Sequence, residues 1–431
     1  MTYNEAIEYI TTSPKFGKTA GLQRIELLLE LLGNPQTKLK FVHVAGTNGK
    51  GSVCACIHAV LMEAGYKTGL FISPHLQRFS ERVRVNKDEI SEAQIANYTN
   101  IIRQKADMMI QSGSEPPTEF EIITAIAMLH FNAALCDIVV LEVGIGGIID
   151  STNIISENES LLSVITSIGF DHMEYLGETL KEIAAKKAGI IKNNHTTIAY
   201  PGEDEVMAVF ERTCEAKNAR LIKLESGAVE IKTMKLCGTS FNLAPLSELG
   251  DIQIKLLGKY GAYNAALAAL ACAELRSKGF EISDENIKGG LAAAYWPGRL
   301  EIVNQNPLII IDGAHNPEGA NALFNELSAY FAGYKLTFIC GCMADKDAEA
   351  LFAPFANIAR RFITITPDTK RAMRGEELTE RIKGFHGDVV FKGDIKQALD
   401  YAVSTGTQDE VICAFGSLYF MGGVRDYFGL R

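Results

Sequence analysis

The sequence predicts an α/β protein of two domains, each with a mainly parallel sheet and helices on both faces. Three observations predict this class. The chain has 431 residues, which is too long for one ordinary hydrophobic core. Short apolar runs typical of buried strands alternate with helical periodicity in both halves. Between the halves, YWPGRLE at residues 295–301 holds the only tryptophan and a Pro-Gly pair, so we place the boundary there.

The predicted elements of the first half begin with two helices, NEAIEYI and LQRIELLLELLG. Apolar strands are predicted at FVHVA, TGLFIS, DIVVLEVG and LLSVITSIGF, and ERVRVN alternates as a half-exposed strand does. A capped helix is predicted to begin near Thr118, and another to end near Gly189. YNAALAALACAELRSKG predicts an alanine-rich helix that follows two short β segments, VEIKTMKL and IQIKLL.

The second half repeats the alternation, with strands predicted at PLIIIDGAHN, KLTFICGC, RFITIT and EVICAFGS. It has no glycine-lysine loop of its own, so we expect it to complete a site rather than hold a second nucleotide. We therefore predict a P-loop NTPase-like domain at residues 1–295, a hinge at 296–300 and a smaller Rossmann-like α/β domain at 301–431.

The composition excludes several classes of function. Apolar residues make up 47% and charged residues 22%, which is ordinary for a globular protein. The net charge of −10 argues against nonspecific nucleic-acid binding and against an anionic membrane surface. No apolar run reaches the length of a membrane span, and MTYNEAIEYI lacks the plan of a signal peptide. We expect a cytoplasmic monomer with no nucleic-acid or membrane partner.

A glycine-rich turn at FVHVAGTNGKGS, residues 41–52, predicts a phosphate-binding loop. Glycines allow a tight turn, and the N–H groups at the start of the following helix point at an anion. Lys50 adds a positive charge, and Ser52 offers a hydroxyl to Mg²⁺. The spacing departs from G-x-x-x-x-G-K-[ST] because Gly51 separates Lys50 from Ser52. The alternative is a βα turn without a ligand.

Polar residues follow several other predicted strands, at the edge where ligands bind in open parallel sheets. Ser73 and His75 follow TGLFIS, Glu142 interrupts an apolar strand, and Asp171 and His172 follow SVITSIGF. An unpaired carboxylate in such a strand is costly, and a metal removes that cost. Ser73, Glu142 and His172 therefore predict an Mg²⁺ site. The alternatives are that Glu142 pairs with a Lys or Arg, and that His172 is a loop residue or a helix cap.

Lys186 and Lys187 lie on the helix that follows His172. Adjacent lysines on a helix usually form a solvated face. A functional lysine would have to point back toward the predicted metal cluster.

In the second half, IIIDGAHNP places Asp312, His315 and Asn316 at a further strand end. Asn316 is also a candidate cap for the next helix. We expect Arg299, in the boundary segment, to reach a nucleotide when the domains close.

Ten stretches, in order, resemble the folylpolyglutamate synthase/dihydrofolate synthase family of the Mur ligase superfamily, whose own loop pattern is G-T-N-G-K-G-[ST]. The stretches cover almost the whole chain and are FGKTAGLQRI, HVAGTNGKGS, FISPHLQRFSERV, TEFE, LEVGIGG, DHMEYLGETLKEIAAKKAGIIK, WPGRLE, DGAHNP, MADKD and FGSLYF.

The resemblance implies an ATP-dependent ligase that adds L-glutamate to dihydropteroate, to reduced folates or to both, through an acyl phosphate. It implies ATP and two Mg²⁺ ions as cofactors, and a carbamylated Lys187. The implied nucleotide contacts are Asn48, Gly49, Lys50, Gly51, Ser52, Asn264, Arg299 and Asp312. The implied metal ligands are Ser73, Glu142 and His172, and the implied acceptor contacts are Leu22, Thr118, Phe120 and Asp150. Lys50, Lys187, Asp312 and His315 take catalytic roles, and His315 and Ser417 lie near the acyl phosphate and glutamate.

Two departures from the family pattern affect the substrate more than the nucleotide. The family's G-G-R-x-D-[AS]-T-N reads GGIIDSTN here, with Ile148 in place of Arg. Gly261 replaces the usual His or Gln of the alanine-rich helix, although Asn264 remains. Two alternatives stay open: a Mur-type amide ligase with another acceptor, and a nucleotide-binding paralogue with reduced ligase activity.

Overall fold

The computed structural model describes residues 1–406 and 410–430, and these ranges divide into two compact units. The first unit comprises Met1–Glu230, Ser240–Ile254 and Tyr263–Tyr295. The second comprises Ile231–Thr239, Lys255–Ala262 and Trp296–Arg431. The predicted α/β class with two mainly parallel sheets is confirmed. The domain bounds 1–295, 296–300 and 301–431 stay a prediction.

The sheet of the first unit has the strand order β4-β3-β2-β5-β1-β6-β7-β8. Pairing is parallel from β2 to β8, whereas β3 and β4 add an antiparallel edge. The strands are β1 Phe41–Ala45, β2 Thr68–Phe71, β3 Val83–Val85, β4 Asp88–Glu89, β5 Ile138–Glu142, β6 Ser160–Ile165, β7 Thr196–Ala199 and β8 Arg220–Lys223. A smaller sheet has the order β11-β10-β9, from β9 Val229–Lys235, β10 Gly238–Leu243 and β11 Ile252–Ile254.

Several helices that precede the second half begin at a capping box, in which a Ser or Thr and a residue three positions on satisfy each other's backbone N–H groups. Thr118 starts α5 in this way, as predicted. The helices are α1 Tyr3–Thr12, α2 Gln23–Leu31, α3 Lys50–Glu63, α4 Glu92–Gln111, α5 Glu119–Ala134, α6 Met173–Leu176, α7 Leu180–Lys187, α8 Asp204–Ala216, α9 Gly258–Arg276 and α10 Asp284–Ala293.

Strand side chains alternate between two hydrophobic layers. Phe41, Phe71 and Leu141 share one core cluster with buried residues of α1, α2, α4 and α5. Ala45 and Ile165 belong to another cluster with α7 and α8, and α3 packs on β1, β2 and β5. This packing fixes the carboxyl ends of β1, β5 and β6 next to one another, which is where the predicted site residues lie.

The sheet of the second unit has the order β12-β13-β17-β14-β15-β16, and only its β12 pairing is antiparallel among those described. Phe338, Phe355 and Phe415 pack together in its core, with ring centroids 4.4–5.6 Å apart. The strands are β12 Glu301–Gln305, β13 Leu308–Asp312, β14 Leu336–Cys340, β15 Ala359–Thr364, β16 Val389–Phe391 and β17 Val411–Phe415. The helices are α11 Pro317–Tyr330, α12 Ala348–Phe352, α13 Gly375–Lys383, α14 Ile395–Thr405 and α15 Met421–Tyr427.

The element boundaries differ from prediction in a few places. The alanine-rich helix α9 begins at Gly258 rather than at Tyr263, because Tyr330 and Glu326 accept hydrogen bonds from the first two N–H groups of the helix. The helix predicted to end near Gly189 changes at Lys187 into a 3₁₀ turn, Ala188–Ile190. Across the described ranges, every helix is too short or too polar to cross a bilayer.

Candidate active site

The glycine-rich turn after β1 is held by the segment that follows β6. Thr47 donates its N–H to the Ser167 carbonyl at 2.7 Å, and its hydroxyl bonds to the Gly169 carbonyl at 3.1 Å. The Thr166 hydroxyl donates to the Asn48 carbonyl at 2.7 Å. The predicted phosphate-binding loop therefore has a shape fixed by a neighbouring strand end and does not depend on its own sequence alone.

Two glycines in this turn are required by conformation and by space. Gly46 has φ +149°, and a Cβ there would lie 1.7 Å from the Thr166 hydroxyl oxygen. Gly49 has φ +87°, and a Cβ there would lie 2.6 Å from Oδ1 of Asn264. Asn264, a predicted nucleotide contact, is thus brought against the loop at the position where α3 begins.

Two lysine side chains converge on one carbonyl of the turn. Lys50 Nζ donates to the Gly46 and Thr47 carbonyls, each at 3.1 Å. Lys187 Nζ donates to the same Gly46 carbonyl at 2.6 Å. Lys187 is only 4% exposed, whereas Lys186 is exposed. The solvated-face interpretation therefore holds for Lys186, and Lys187 is the lysine that points back toward the predicted site.

The direction of Lys187 follows from the pattern of α7. Ile183, Ala184 and Ala188 are buried, and Lys187 lies four and three residues after the first two, on the same helix face. A lysine on an apolar helix face is a signal that the sequence already contained.

The Glu142 carboxylate lies at the carboxyl end of β5, where it pairs in register with Val44 of β1. It is buried, and its Oε2 accepts a 2.9 Å hydrogen bond from the Ser73 N–H. Burial and then Glu142 raise the pKa of the Cys54 thiol well above its usual value, and Lys50 acts in the opposite direction. Glu142 and Ser73 are therefore joined at the end of β5, next to β1 and the turn that follows it.

His172 takes a left-handed backbone conformation, φ +50°, at the N-cap position of α6, and makes no side-chain cap. Its N–H donates to the Asp171 carboxylate at 2.9 Å. In the part of the chain that the structure describes, no group of three or more His, Cys, Asp or Glu side chains is arranged to hold a metal. The predicted set holds only two such residues, and the buried Glu142 carboxylate and the half-buried Ser73 hydroxyl are hard oxygen donors of the kind that Mg²⁺ uses together with water and phosphate oxygens. The donor chemistry fits Mg²⁺.

Two of the four predicted acceptor contacts, Phe120 and Asp150, lie beside Gly144, directly after β5. A Cβ on Gly144 would lie 2.6 Å from the Phe120 ring and 3.1 Å from Oδ2 of Asp150. Leu22 and Phe120 pack against the same core cluster. Thr118 is buried, and its N–H and its hydroxyl are both bonded to Glu121 in the capping box of α5. The structure thus brings Phe120 and Asp150 together and gives Thr118 a structural role at the start of α5.

Asp150 organises the loop that follows Gly144. Its carboxylate accepts the N–H groups of Ile145 at 2.8 Å and Thr152 at 3.0 Å, and the Thr152 hydroxyl at 2.5 Å. Burial raises the pKa of the Asp150 carboxyl, and these hydrogen bonds act in the opposite direction.

Ile148, the departure from the family pattern, is fixed by its backbone. Its N–H donates to the Lys186 carbonyl at 3.0 Å, and its own carbonyl accepts from the Asn153 amide at 3.1 Å. Its side chain is 45% exposed. A side chain at this position can therefore change without altering the hydrogen bonds that shape the loop.

In the second unit, Asp312 is a hydrogen-bond centre at the end of β13. Oδ2 accepts from the Leu300 N–H at 2.8 Å and from the Tyr260 hydroxyl at 3.0 Å, and Oδ1 accepts from the Ala314 N–H at 2.8 Å. Burial and the neighbouring Asp312 raise the pKa of Tyr260 well above its usual value, so Tyr260 remains a donor. No sequence pattern indicated Tyr260, because its partner Asp312 lies 52 positions further along the chain.

The other predicted residues of this unit lie close to Asp312. The Arg299 side chain lies across Gly313, where a Cβ would come 1.9 Å from its Nη1. His315 Nδ1 bonds to the Gly313 carbonyl at 2.8 Å and therefore carries a proton. Ser417 is buried after β17, which pairs with β13, and its hydroxyl accepts from the Tyr419 N–H at 3.2 Å. Asn316 caps α11 through the Gly319 N–H, as the alternative reading predicted.

The comparisons with known proteins give a class. Residues 44–273 match the Mur ligase middle domain, and residues 298–418 match the Mur ligase glutamate ligase domain. The chain is therefore a Mur ligase, a class of ATP-dependent amide-forming ligases.

Similar proteins narrow the class. The chain is 35% identical to the dihydrofolate synthase/folylpolyglutamate synthase of Bacillus subtilis, with 98% of each chain covered. It matches the folylpolyglutamate synthase of Mycobacterium tuberculosis complexed with ADP and AMPPCP at 29% identity and a TM-score of 0.88, covering 100% and 98% of the two chains. A solved complex of folylpolyglutamate synthase (FPGS) with AMPPCP and folate matches at 31% identity and a TM-score of 0.82, with 99% of each chain covered. The chain belongs to the dihydrofolate synthase/folylpolyglutamate synthase family.

We predict that Asp312→Asn destabilises the second unit. An amide offers one acceptor oxygen to three donors, and its NH₂ group must face at least one of them. Loss of hydrogen bonds to a charged group should lower the free energy of unfolding by about 3 kcal/mol or more. Tyr260→Phe removes a single bond and should cost about 1.5 kcal/mol. Urea unfolding followed by the fluorescence of Trp296, the single tryptophan, measures both variants. Equal stability of Asp312→Asn and the parent would contradict the structural role.

Proposed function

We propose that this chain is an ATP-dependent ligase that joins L-glutamate to dihydropteroate, to reduced folates or to both, through an acyl phosphate. The observation that carries the proposal is the convergence of Lys50 and Lys187 on the Gly46 carbonyl of a glycine-rich turn. Membership of the family, and the AMPPCP and folate bound by its solved relatives, support the same reaction.

The reaction needs activation because a carboxylate is a poor electrophile. The acceptor carboxylate attacks the γ-phosphorus of ATP, the bond to the β,γ-bridging oxygen breaks, and ADP leaves. The glutamate amine then attacks the acyl carbon, the bond from that carbon to the phosphate oxygen breaks, and the amine loses a proton. The protein positions the reactants and neutralises their charge. Lys50 and the N–H groups at the start of α3 would hold the ATP phosphates.

We propose that Ser73, Glu142 and His172 hold Mg²⁺. The Ser73 N–H donates a hydrogen bond to the Glu142 carboxylate, so the two residues are held side by side. The Ser73 hydroxyl and the Glu142 carboxylate are oxygen donors that suit a hard cation. Bound there, the ion would neutralise part of the phosphate charge. The nucleotide contacts predicted for Asn264, Arg299 and Asp312, and the roles of His315 and Ser417 toward the acyl phosphate and glutamate, stay predictions.

We also propose that Lys187 is carbamylated. An uncharged Nζ attacks the carbon of CO₂, an N–C bond forms, one C=O electron pair moves to oxygen, and the nitrogen loses a proton to solvent. The product is an anionic oxygen ligand for a metal. Its nitrogen keeps one N–H, which preserves the bond to the Gly46 carbonyl. The burial of Lys187 supports the proposal because it shields the group from bulk water.

The decisive assay measures ADP release in the presence of ATP and Mg²⁺. We expect turnover only when L-glutamate and a pteroate acceptor are both present, and dihydropteroate should be compared with a reduced folate monoglutamate. Turnover with a different carboxylic acceptor would favour another Mur-type ligase. ATP binding without glutamate-dependent turnover would favour a paralogue with reduced activity. Either outcome overturns the folate proposal.

We predict that Lys187→Ala reduces turnover by about 10²–10³-fold, as expected when a group that stabilises transition-state charge is removed. Lys186→Ala is the matched control and should retain parental turnover, because its side chain is exposed. In ¹³C NMR with labelled bicarbonate, a carbamate signal should be present in the parent and in Lys186→Ala and absent in Lys187→Ala. Parental turnover in Lys187→Ala would exclude the catalytic role, and a parent without the signal would exclude the carbamate.

We predict that Ile148→Arg lowers the KM for the anionic acceptor by roughly 2- to 5-fold, the gain expected from about 0.5–1 kcal/mol at a partly exposed site. The KM for ATP should stay unchanged. The effect should shrink in high salt because exposed charges are screened. Ile149→Arg, at a neighbouring exposed position, is the control and should change the acceptor KM less. An equal response of the two variants would show that position 148 does not face the acceptor.

A further inference from the structure

A line of three buried polar side chains connects β1 to the loop that carries Asp150. His43 Nε2 lies 2.8 Å from the Thr152 hydroxyl oxygen, which lies 2.5 Å from Oδ1 of Asp150. His43 and Thr152 have no exposed surface, and Asp150 is 6% exposed. All three residues belong to the first unit.

The hydrogen-bonding capacity of each group sets the direction of the line. Asp150 accepts backbone N–H groups on both carboxylate oxygens, an arrangement that favours its ionised form. The single proton of the Thr152 hydroxyl therefore goes to Asp150. The Thr152 oxygen must then accept from His43, so His43 carries its proton on Nε2.

The surroundings of His43 agree with a neutral ring in this tautomer. Its Nδ1 is buried and, in the described part of the chain, has no hydrogen-bond partner. A protonated Nδ1 would place an unsatisfied donor in the core, which costs more than an unused acceptor lone pair. Burial, and then Lys192, lower the pKa of His43 well below its usual value.

The local cap does not explain this line. Asp150 begins a short 3₁₀ turn, Ser151–Ile154, by accepting the Thr152 N–H, which needs neither a hydroxyl nor an imidazole. His43 is the one polar side chain in a fully buried strand, and burying it is costly unless its polar atom is used. β1 continues directly into the turn at Gly46. The line therefore connects the strand that leads to the phosphate-binding loop with the carboxylate on the predicted acceptor side.

We infer that His43 and Thr152 are positioning residues for the ligase: their relay fixes the rotamer of Asp150 beside Phe120 and so sets the affinity for the pteroate acceptor. The inference rests on the proposed function. Both bonds from Thr152 fall on Oδ1, so the oxygen that a flat heteroaromatic ring carrying N–H donors would meet is Oδ2, which also accepts the Ile145 N–H. Oδ2 lies near Gly144, on the side where the Phe120 ring approaches.

The test is Thr152→Val, which keeps the side-chain shape and removes the relay. The KM for the pteroate acceptor should rise roughly 5- to 30-fold, as expected for loss of one or two hydrogen bonds around a buried carboxylate. The KM for ATP should stay within about 2-fold of the parent, because no contact of the phosphate-binding loop changes. An unchanged acceptor KM, or an equal rise of both KM values, would overturn the inference.

Two variants separate positioning from general loss of stability. Thr152→Ser keeps the hydroxyl and should restore most of the acceptor affinity. Thr99→Val is the matched control, because Thr99 is fully buried and its hydroxyl has no partner in the described structure. Thr99→Val should keep the parental KM values. If Thr152→Ser is as impaired as Thr152→Val, the hydroxyl is not the relevant group and the inference fails.

A double-mutant cycle and NMR provide readouts that do not depend on acceptor affinity alone. In a relay, His43→Leu adds little to the effect of Thr152→Val, whereas independent effects would multiply. ¹⁵N-correlated NMR of the histidines, assigned by the loss of one signal in His43→Leu, should show His43 protonated on Nε2 in the parent. A proton on Nδ1 would overturn the relay, whatever the turnover of the parent. Absence of pteroate-dependent turnover in the parent would overturn the proposed function, and the NMR result would still test the relay.

Discussion

The turn at Gly46 is the constraint on which the site of the first unit depends. Its left-handed φ of +149° and its contact with Thr166 leave no room for a Cβ. Its carbonyl accepts hydrogen bonds from Lys50 of α3 and Lys187 of α7, which are 137 positions apart in the sequence. A backbone acceptor thus determines where two lysine side chains end. Because the segment after β6 holds the turn through Thr47, two neighbouring parallel strands, β1 and β6, contribute to this arrangement.

Asp312 plays the corresponding part in the second unit. It satisfies the N–H groups of Leu300 and Ala314 and binds the Tyr260 hydroxyl, so its carboxylate holds the strand end and the preceding segment together. Leu300 is buried and has a left-handed φ of +43°. A glycine would adopt that conformation more easily but would lose the core contact. Arg299 is the preceding residue, so the fixed backbone at Leu300 also limits where the Arg299 side chain can point.

The sequence predicted the fold class and the loop because their signals are local. Strand β1, the glycine turn and α3 occur where FVHVAGTNGKGS predicts them. The bond from Tyr260 to Asp312 and the pairing of His43 with Thr152 join residues that are far apart in the chain, so no local pattern revealed them. Lys187 lies between these cases. Its place on an apolar face was readable, but its target carbonyl was not.

The loop around Ile148 separates shape from chemistry. Its course is fixed by main-chain bonds at Ile148 and by buried side chains, whereas the side chains of Ile148 and Ile149 project outward. Replacement of the family's arginine by isoleucine therefore leaves the scaffold intact and alters only the surface that it presents. Two parts of one residue thus do separate work: the backbone of Ile148 holds the loop, and its side chain can be exchanged without loss of those bonds.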